Sequence, residues 1–246
     1  MSRVLVWWGA GDASTVAADE AIKKYGHEKV EVLYCDTSKS EHPDNSRFKV
    51  DVEAFLKHPI KVLKSDEFDD IWQVFEKRRF LRDNRTGGAP CTGEMKIAVR
   101  HAYQQAGDLQ IFGFTKDEEK RWIQFGKSFP DVQSEWILKD ITKMECHEII
   151  RKAGIELPMM YKLGYPNNNC TGCVKAQSVA YWTHIRQDFP EHFGKMSVLE
   201  RKFNFALNRR TVKGERVPVF LDEIPPGVRK MKNGLNWECG VLCQTS

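Results

Sequence analysis

The stretch from Arg3 to Asp36 constrains this chain more than any other. Arg3–Trp8 is a near-continuous apolar run, the pattern of a strand covered on both faces. Gly9-Ala10-Gly11-Asp12-Ala13-Ser14-Thr15 follows, a run of small residues. Ser14–Tyr25 then carries Val16, Ala17, Ala21 and Tyr25 at helical spacing, and Gly26 ends it. Val30–Tyr34 is a second apolar run. Strand, tight turn, helix and strand in this order make a βαβ unit, which requires parallel strands joined by a crossover.

The alternation continues. Residues 60–63 read as a strand, 69–80 and 94–106 as helices, and Leu109–Phe114 as a strand running into a polar loop. Ile141–Ala153 reads as a helix capped by Asp140. Cys173–Asp188 and Pro190–Asn208 form a late helical pair, with Pro190 suited to a first helical position. Beyond Asn208 the pattern loosens into Val217–Leu221 and a cysteine-containing end. We expect an α/β fold with a mostly parallel sheet flanked by helices. It forms one domain over 1–246: an α/β core at 1–165, then a helical, basic part at 166–246.

Composition narrows the function. Of the 246 residues 41% are apolar and 29% charged, which excludes fibrous and disordered classes. No apolar run is long enough for a membrane span. The opening run is too short for a secretory leader, so we expect a cytoplasmic protein. Lys195–Ser246 holds ten basic and five acidic residues, a net +5, which leaves 1–194 at −1 of the total +4. A basic end suits an anionic partner, nucleotide or nucleic acid, and equally a solvated surface. The oligomeric state has no signal in the sequence.

The turn at Gly9–Thr15 is the first candidate site. Small residues let the backbone approach a ligand, and a helix N-terminus offers unpaired N–H groups and a positive dipole end to a phosphate. Ser14 and Thr15 add hydroxyl groups. An ordinary strand-to-helix turn capped by Ser14 explains the same residues. The turn is also a near miss to the dinucleotide fingerprint, with Ser14 where the third glycine would stand and Asp36 where a ribose-binding acid would. The second candidate is the cysteine set. Seven cysteines, an odd number, argue against a disulfide framework and for metal or redox chemistry. Cys170-x-x-Cys173 lies at the start of a predicted helix, and Cys239 and Cys243 form a further pair. Thiolates suit iron–sulfur clusters and zinc. Free thiols around a nucleotide pocket remain the alternative. Cys35 and Cys146 are expected to be small buried hydrophobes.

Together these segments resemble the phosphoadenosine phosphosulfate reductase family of the PP-loop superfamily. Gly9 to Ser14 aligns with the superfamily's Ser-Gly-Gly-x-Asp-Ser loop. Tyr34-Cys35-Asp36-Thr37 with Glu41-His42-Pro43 is similar to the Asp-Thr segment after strand two. Pro90-Cys91-Thr92-Gly93-Glu94-Met95-Lys96 and Gly113-Phe114-Thr115-Lys116-Asp117-Glu118-Glu119-Lys120-Arg121 resemble the family's Cys…Lys and Gly-x-Arg-x-Asp-Glu-x-x-Arg segments. Cys170-Thr171-Gly172-Cys173 after Gly164-Tyr165 is similar to the iron–sulfur adenylyl-sulfate reductases. The chain departs from the pattern at Gly9 and Ala13, where the family has Ser and Asp, and at Pro90, where cluster-type members have a second Cys.

The resemblance implies an enzyme that binds ATP or an adenylyl sulfate, with Mg in the ATP form. The nucleotide-binding residues it implies are Gly9, Ala10, Gly11, Asp12, Ala13, Ser14, Thr15, Asp36, Thr37, Gly113, Lys116 and Arg121. It implies a 4Fe–4S cluster on Cys91, Cys170, Cys173 and Cys243, with zinc as the alternative. Cys239, in Glu238-Cys239-Gly240, is the implied nucleophile, or alternatively the fourth cluster ligand. Thioredoxin is the implied type of electron donor. An ATP-dependent sulfurtransferase, a dinucleotide-binding oxidoreductase and a non-catalytic nucleotide or nucleic-acid binding module stand as the other readings.

Overall fold

The computed structural model describes residues 3–227 and 229. Five strands form a parallel sheet in the order β3-β2-β1-β4-β5: β1 Val4–Trp7, β2 Val30–Cys35, β3 Ile60–Leu63, β4 Leu109–Phe112 and β5 Ser134–Glu135. In β1, Val4 and Val6 face one side of the sheet, and Leu5 and Trp7 the other, as period-two alternation requires. Helices α1 Asp12–Tyr25, α2 Asn45–Leu56 and α6 Lys143–Lys152 cover the first side through Val16, Ala17, Phe48, Val52, Cys146 and Ile150. Helix α5 Glu119–Ser128 covers the other with Trp122 and Phe125 against Leu5, Trp7 and Phe112. Burying one such side chain is worth roughly 1.5–3 kcal/mol, so the two-sided sheet is the main source of cohesion. The α/β expectation holds.

The helices α3 Ile71–Arg78, α7 Met159–Lys162, α8 Val179–Asp188 and α9 Pro190–Phe203 join a separate core with the antiparallel hairpin of β6 Asn208–Val212 and β7 Glu215–Val219. Trp182, Met196 and Leu207 are fully buried there. This core also takes Phe68, Val74, Leu81 and Met95 from the first half of the chain. Residues before 165 thus contribute to both cores.

Several expected elements are corrected. Helix α6 is capped by Thr142, not Asp140: Thr142 Oγ1 accepts from Glu145 N at 3.2 Å, and Glu145 Oε2 accepts from Thr142 N at 2.7 Å. Helix α8 starts at Val179 under a Ser178 cap, because the preceding residues are spent in turns around the cysteines. Helix α9 stops at Asn204, whose φ of 49° is left-handed. The expected Asn208 end is instead the start of β6. Residues 90–103, called α4 here, are α-helical at Pro90–Thr92 and Ala98–Tyr103 but π-wound at Gly93–Ile97. Among the described residues no helix is long and apolar enough to cross a membrane.

Candidate functional site

The sheet order changes direction at β1. Strand β2 lies on one side of it and β4 on the other, so the chain leaves the sheet in diverging directions at the strands' C-terminal ends. Open α/β sheets bind ligands in the crevice formed there. A cleft of about 260 Å³ occupies that place.

Its floor is the turn after β1. Ala10 has a φ of 55°, a left-handed conformation in a non-glycine residue. Gly11 is the N-cap of α1 and supplies no side-chain cap, so the backbone N–H groups of the first turn carry the positive end of the helix. The hydroxyls are turned inward. Ser14 Oγ accepts from Gly9 N at 3.0 Å and donates to Gly11 O at 2.9 Å. Thr15 Oγ1 accepts from Trp8 Nε1 at 2.8 Å and donates to Gly11 O at 2.9 Å. Gly113, at the end of β4, makes this approach fit: a Cβ there would stand 2.7 Å from Ser14 N. Gly9 is exposed to the cleft, and a Cβ on it would meet nothing within 4 Å.

The walls bring together residues far apart in sequence. Lys96 comes from the π-wound turn of α4, a geometry frequent at functional sites. Arg121 comes from α5, over the Phe114 ring at 5.4 Å and ion-paired with Glu118. Arg100 lies 4.7 Å from the Phe129 ring centre, and burial lowers its guanidinium to about 10, so it stays charged near neutrality. Lys143, at the start of α6, donates to Asn167 Oδ1 at 2.6 Å and to Pro166 O. Burial pushes its pKa down, against the pull of Asp12. Trp7, Trp8, Tyr34, Phe112 and Phe114 supply aromatic lining.

Asp12 is buried at the first turn of α1. Tyr161 Oη donates to its Oδ1 at 2.9 Å, and His147 Nδ1 lies against Oδ2 without aligning as a hydrogen bond. Burial and Asp12 together push the Tyr161 hydroxyl well above its ordinary pKa, so it remains a donor. Asn168 closes the floor by donating to Ala10 O at 2.5 Å and to Asn45 Oδ1 at 2.8 Å.

Of the expected nucleotide-binding residues, Gly9, Gly11, Asp12, Ala13, Ser14, Gly113 and Arg121 line the cleft. Ala10 and Thr15 are buried behind it and shape the turn. Asp36, Thr37 and Lys116 lie outside the lining. Asp36 is used locally, accepting from Ser38 N at 3.0 Å. Thr37 Oγ1 is turned into the buried carboxylate of Glu41 at 2.5 Å, and Lys116 opens an exposed turn. Sequence reasoning missed Lys143, Tyr161 and 167–169, because only the fold brings these distant segments to the turn. It also gave His147 no role.

Cys35 lines the cleft, and its thiol is pushed up to about 11 by burial, as expected of a packed cysteine. Cys170 follows directly on the lining residues 167–169, and its neighbour Thr171 N donates to Ser40 O at 2.8 Å. Cys91 packs against the second core. Cys173 N donates to Tyr181 Oη at 3.0 Å. Among the described residues no group of three or more His, Cys, Asp or Glu side chains is placed to hold a metal ion. A cluster or zinc ion on Cys91, Cys170, Cys173 and Cys243 therefore stays a proposal that the described residues neither complete nor replace. Cys239 and Cys243 lie outside the described residues.

Fold and cleft define an α/β protein with a ligand crevice at the switch point of a parallel sheet. No family model matches the chain, and no curated protein matches it. Among solved structures it is similar to a phosphoadenylyl-sulfate (PAPS) reductase from Candida auris, determined as a phosphate complex. The similarity covers 69% of this chain and 82% of that one, at 12% identity and a TM-score of 0.49. At that identity and score it transfers no activity to this chain.

Proposed function

We propose that the cleft binds an adenine nucleotide carrying a sulfo or phosphoryl group, and that the chain performs sulfur chemistry on it. One observation carries this reading: an uncapped helix N-terminus meets Lys96, Arg121 and Lys143 around one aromatic-lined cleft. The N–H groups and the cations suit phosphate and sulfate oxygens, and the rings suit a base.

The reductive form follows from the family resemblance. A cysteine thiolate attacks the sulfur of an adenylyl sulfate, the S–O bond to the nucleotide breaks, and the nucleotide leaves with that electron pair. The enzyme then carries a cysteine S-sulfonate. A thiol of an external dithiol attacks the cysteine sulfur and releases sulfite, and the resulting mixed disulfide resolves within the dithiol. The reductant is oxidised by two electrons and the sulfur is reduced by two. Cys239 is our candidate nucleophile, on the resemblance of Glu238-Cys239-Gly240 alone.

Two measurements test the reading. Gly9→Val places bulk in the open cleft with nothing to collide with in the fold. By calorimetry it should weaken nucleotide binding at least about tenfold, a loss of about 1.4 kcal/mol, at an unchanged melting temperature. Unaltered affinity for every adenine nucleotide that binds would overturn the cleft assignment. Incubation with an adenylyl sulfate and a dithiol should release sulfite, and Cys239→Ser should stop the release while binding persists. Consumption of ATP without sulfite release would replace reduction by ATP-dependent thiolation.

A further inference from the structure

A second group of cations lies away from the cleft lining, where the loop before α4 meets the β6–β7 hairpin. Arg82 is only 3% exposed. Its Nη2 donates to Asn84 Oδ1 at 3.3 Å, whereas Nε and Nη1 are buried and meet no hydrogen-bond partner among the described residues. The side chain is held there from both ends. Leu81, fully buried beside it, belongs to the same core as Leu207 and Val219 at the root of the hairpin, and the Arg82 guanidinium lies 5.8 Å from the Phe205 ring centre.

The hairpin register brings further positive charge to this point. Arg209 pairs with Pro218, and Arg216 stands two residues before Pro218 on the same strand. Side chains on a strand alternate, so Arg209 and Arg216 share one face as diagonal neighbours. Both act on Arg82: its pKa is lowered first by burial, then by Arg209 and Arg216, with only Cys173 pulling the other way. Among the described residues, no Asp or Glu stands among the charges that act on Arg82. Buried guanidinium donors and like charges in one place are unfavourable unless an anion joins them. Arginine is also the side chain whose planar fork fits tetrahedral oxyanions.

We propose that Arg82, Arg209 and Arg216 form an oxyanion site, separate from the nucleotide cleft, that takes a phosphate or sulfate group. The group can come from a free ion or from the phosphodiester backbone of a nucleic acid; exposed Arg210 and Lys213 extend the positive surface along the hairpin. The proposal does not depend on the cleft's ligand.

The test uses the full chain, wild type and the Arg209→Gln/Arg216→Gln double variant, which leaves buried Arg82 in place so that folding is not at stake. Thermal unfolding in inorganic phosphate and in sulfate is compared with unfolding in chloride at equal ionic strength. A short single-stranded oligonucleotide is titrated by fluorescence anisotropy across a salt series. The wild type should gain several degrees in phosphate or sulfate, and the double variant should lose most of that gain. If the polymer is the source, the oligonucleotide should also bind several-fold more weakly to the variant, with a salt slope shallower by about one to two phosphate contacts. A response to the free ions with no oligonucleotide difference assigns the site to a small oxyanion. Equal stabilisation of both proteins by the ions, with equal oligonucleotide binding, overturns the proposal. The Gly9→Val protein should respond to both probes at the hairpin like the wild type, so failure of the cleft assignment and failure of this one are told apart.

Discussion

The cleft and the second core meet at residues 167–173, yet they are built on different principles. Around the cleft the polar groups form hydrogen-bond networks: Asn168 bridges Ala10 and Asn45, Tyr161 orients Asp12, and Asn167 holds Lys143. Buried side-chain atoms without a hydrogen bond among the described residues occur there too, at Asp12 Oδ2, Asn168 Oδ1 and two nitrogens of Arg100. In the second core Arg82, His192 and Asn208 each carry such atoms, and Glu200 is fully buried with its oxygens turned to two backbone N–H groups. The contrast lies in the titrating groups: the cleft buries cations, Arg100 and Lys143, whose pKa burial lowers, whereas the second core buries a carboxyl and an imidazole, Glu200 and His192, shifted into the range between about pH 4 and 7.

The largest expected effect breaks the cleft side of this comparison. Gly113→Val would drive a side chain into Ser14 N at 2.7 Å and Ser14 Cα at 2.8 Å, both backbone atoms that cannot rotate away. Overpacking typically costs about 1–3 kcal/mol, and a clash against backbone belongs at the upper end. Chemical denaturation should show that loss, and nucleotide affinity should fall because the first turn of α1 is displaced. Retained stability with normal affinity would mean that the contact between β4 and α1 is not what sets the turn.

The next effect sharpens the other side. Glu200 Oε1 accepts from Leu207 N at 2.5 Å and Oε2 from Leu221 N at 2.6 Å, which ties α9 to both ends of the hairpin. Burial outweighs these bonds and raises its pKa from 4.5 to about 7. The folded state therefore binds the proton more tightly than the unfolded chain. This contribution is fully present below about pH 4.5 and is lost as pH rises through 7. His192 works oppositely: burial lowers it from 6.5 to about 4, so its contribution is lost as pH falls from 6.5 towards 4. The clean measurement is the stability difference between wild type and Glu200→Gln. It should move in favour of wild type by on the order of 2–3 kcal/mol between pH 8 and pH 5. A pH-independent difference would show that Glu200 does not titrate in this range.

The same comparison explains what the sequence disclosed. The unit from β1 to β2 was readable because its signals are local: an apolar run, small turn residues and helical spacing. Helix α2 was missed although Phe48, Val52 and Leu56 recur every fourth residue, because charged residues dilute the pattern. Helix α5 and its C-cap carry Trp122, Phe125 and Phe129 at helical spacing, but the charged run at its start reads as the polar loop that follows the strand at 109–114. The hairpin had a turn signal too: Lys213 and Gly214 have φ of 50° and 87°, the double left-handed turn that joins two-residue hairpins. Lys143, Tyr161 and residues 167–169 had no local signal, because their convergence on Gly9–Ser14 depends on the sheet order. The cysteine motif is the most visible in sequence, but sequence spacing alone does not say whether Cys91, 79 residues before Cys170, shares a site with the pair.

The smallest expected effect lies where the cleft depends on a single cap. Thr142 and Glu145 form a reciprocal capping box, and the next residue, Lys143, is the cation that reaches Asn167 across the cleft. Lys143 is further anchored by its backbone N–H to Asp117 Oδ2 at 2.8 Å. Thr142→Ala removes the hydroxyl acceptor of Glu145 N and should cost about 1 kcal/mol. The first turn of α6 would fray, and Lys143 and His147 with it. Nucleotide affinity should then fall by a small factor, about two- to threefold, alongside the drop in melting temperature. Glu145→Ala breaks the reciprocal bond from the other side of the box and should give the same pair of changes. If both variants lose stability while affinity stays constant, Lys143 is positioned by Asp117 and Asn167 rather than by the helix cap, and the organisation of the cleft does not extend to the start of α6.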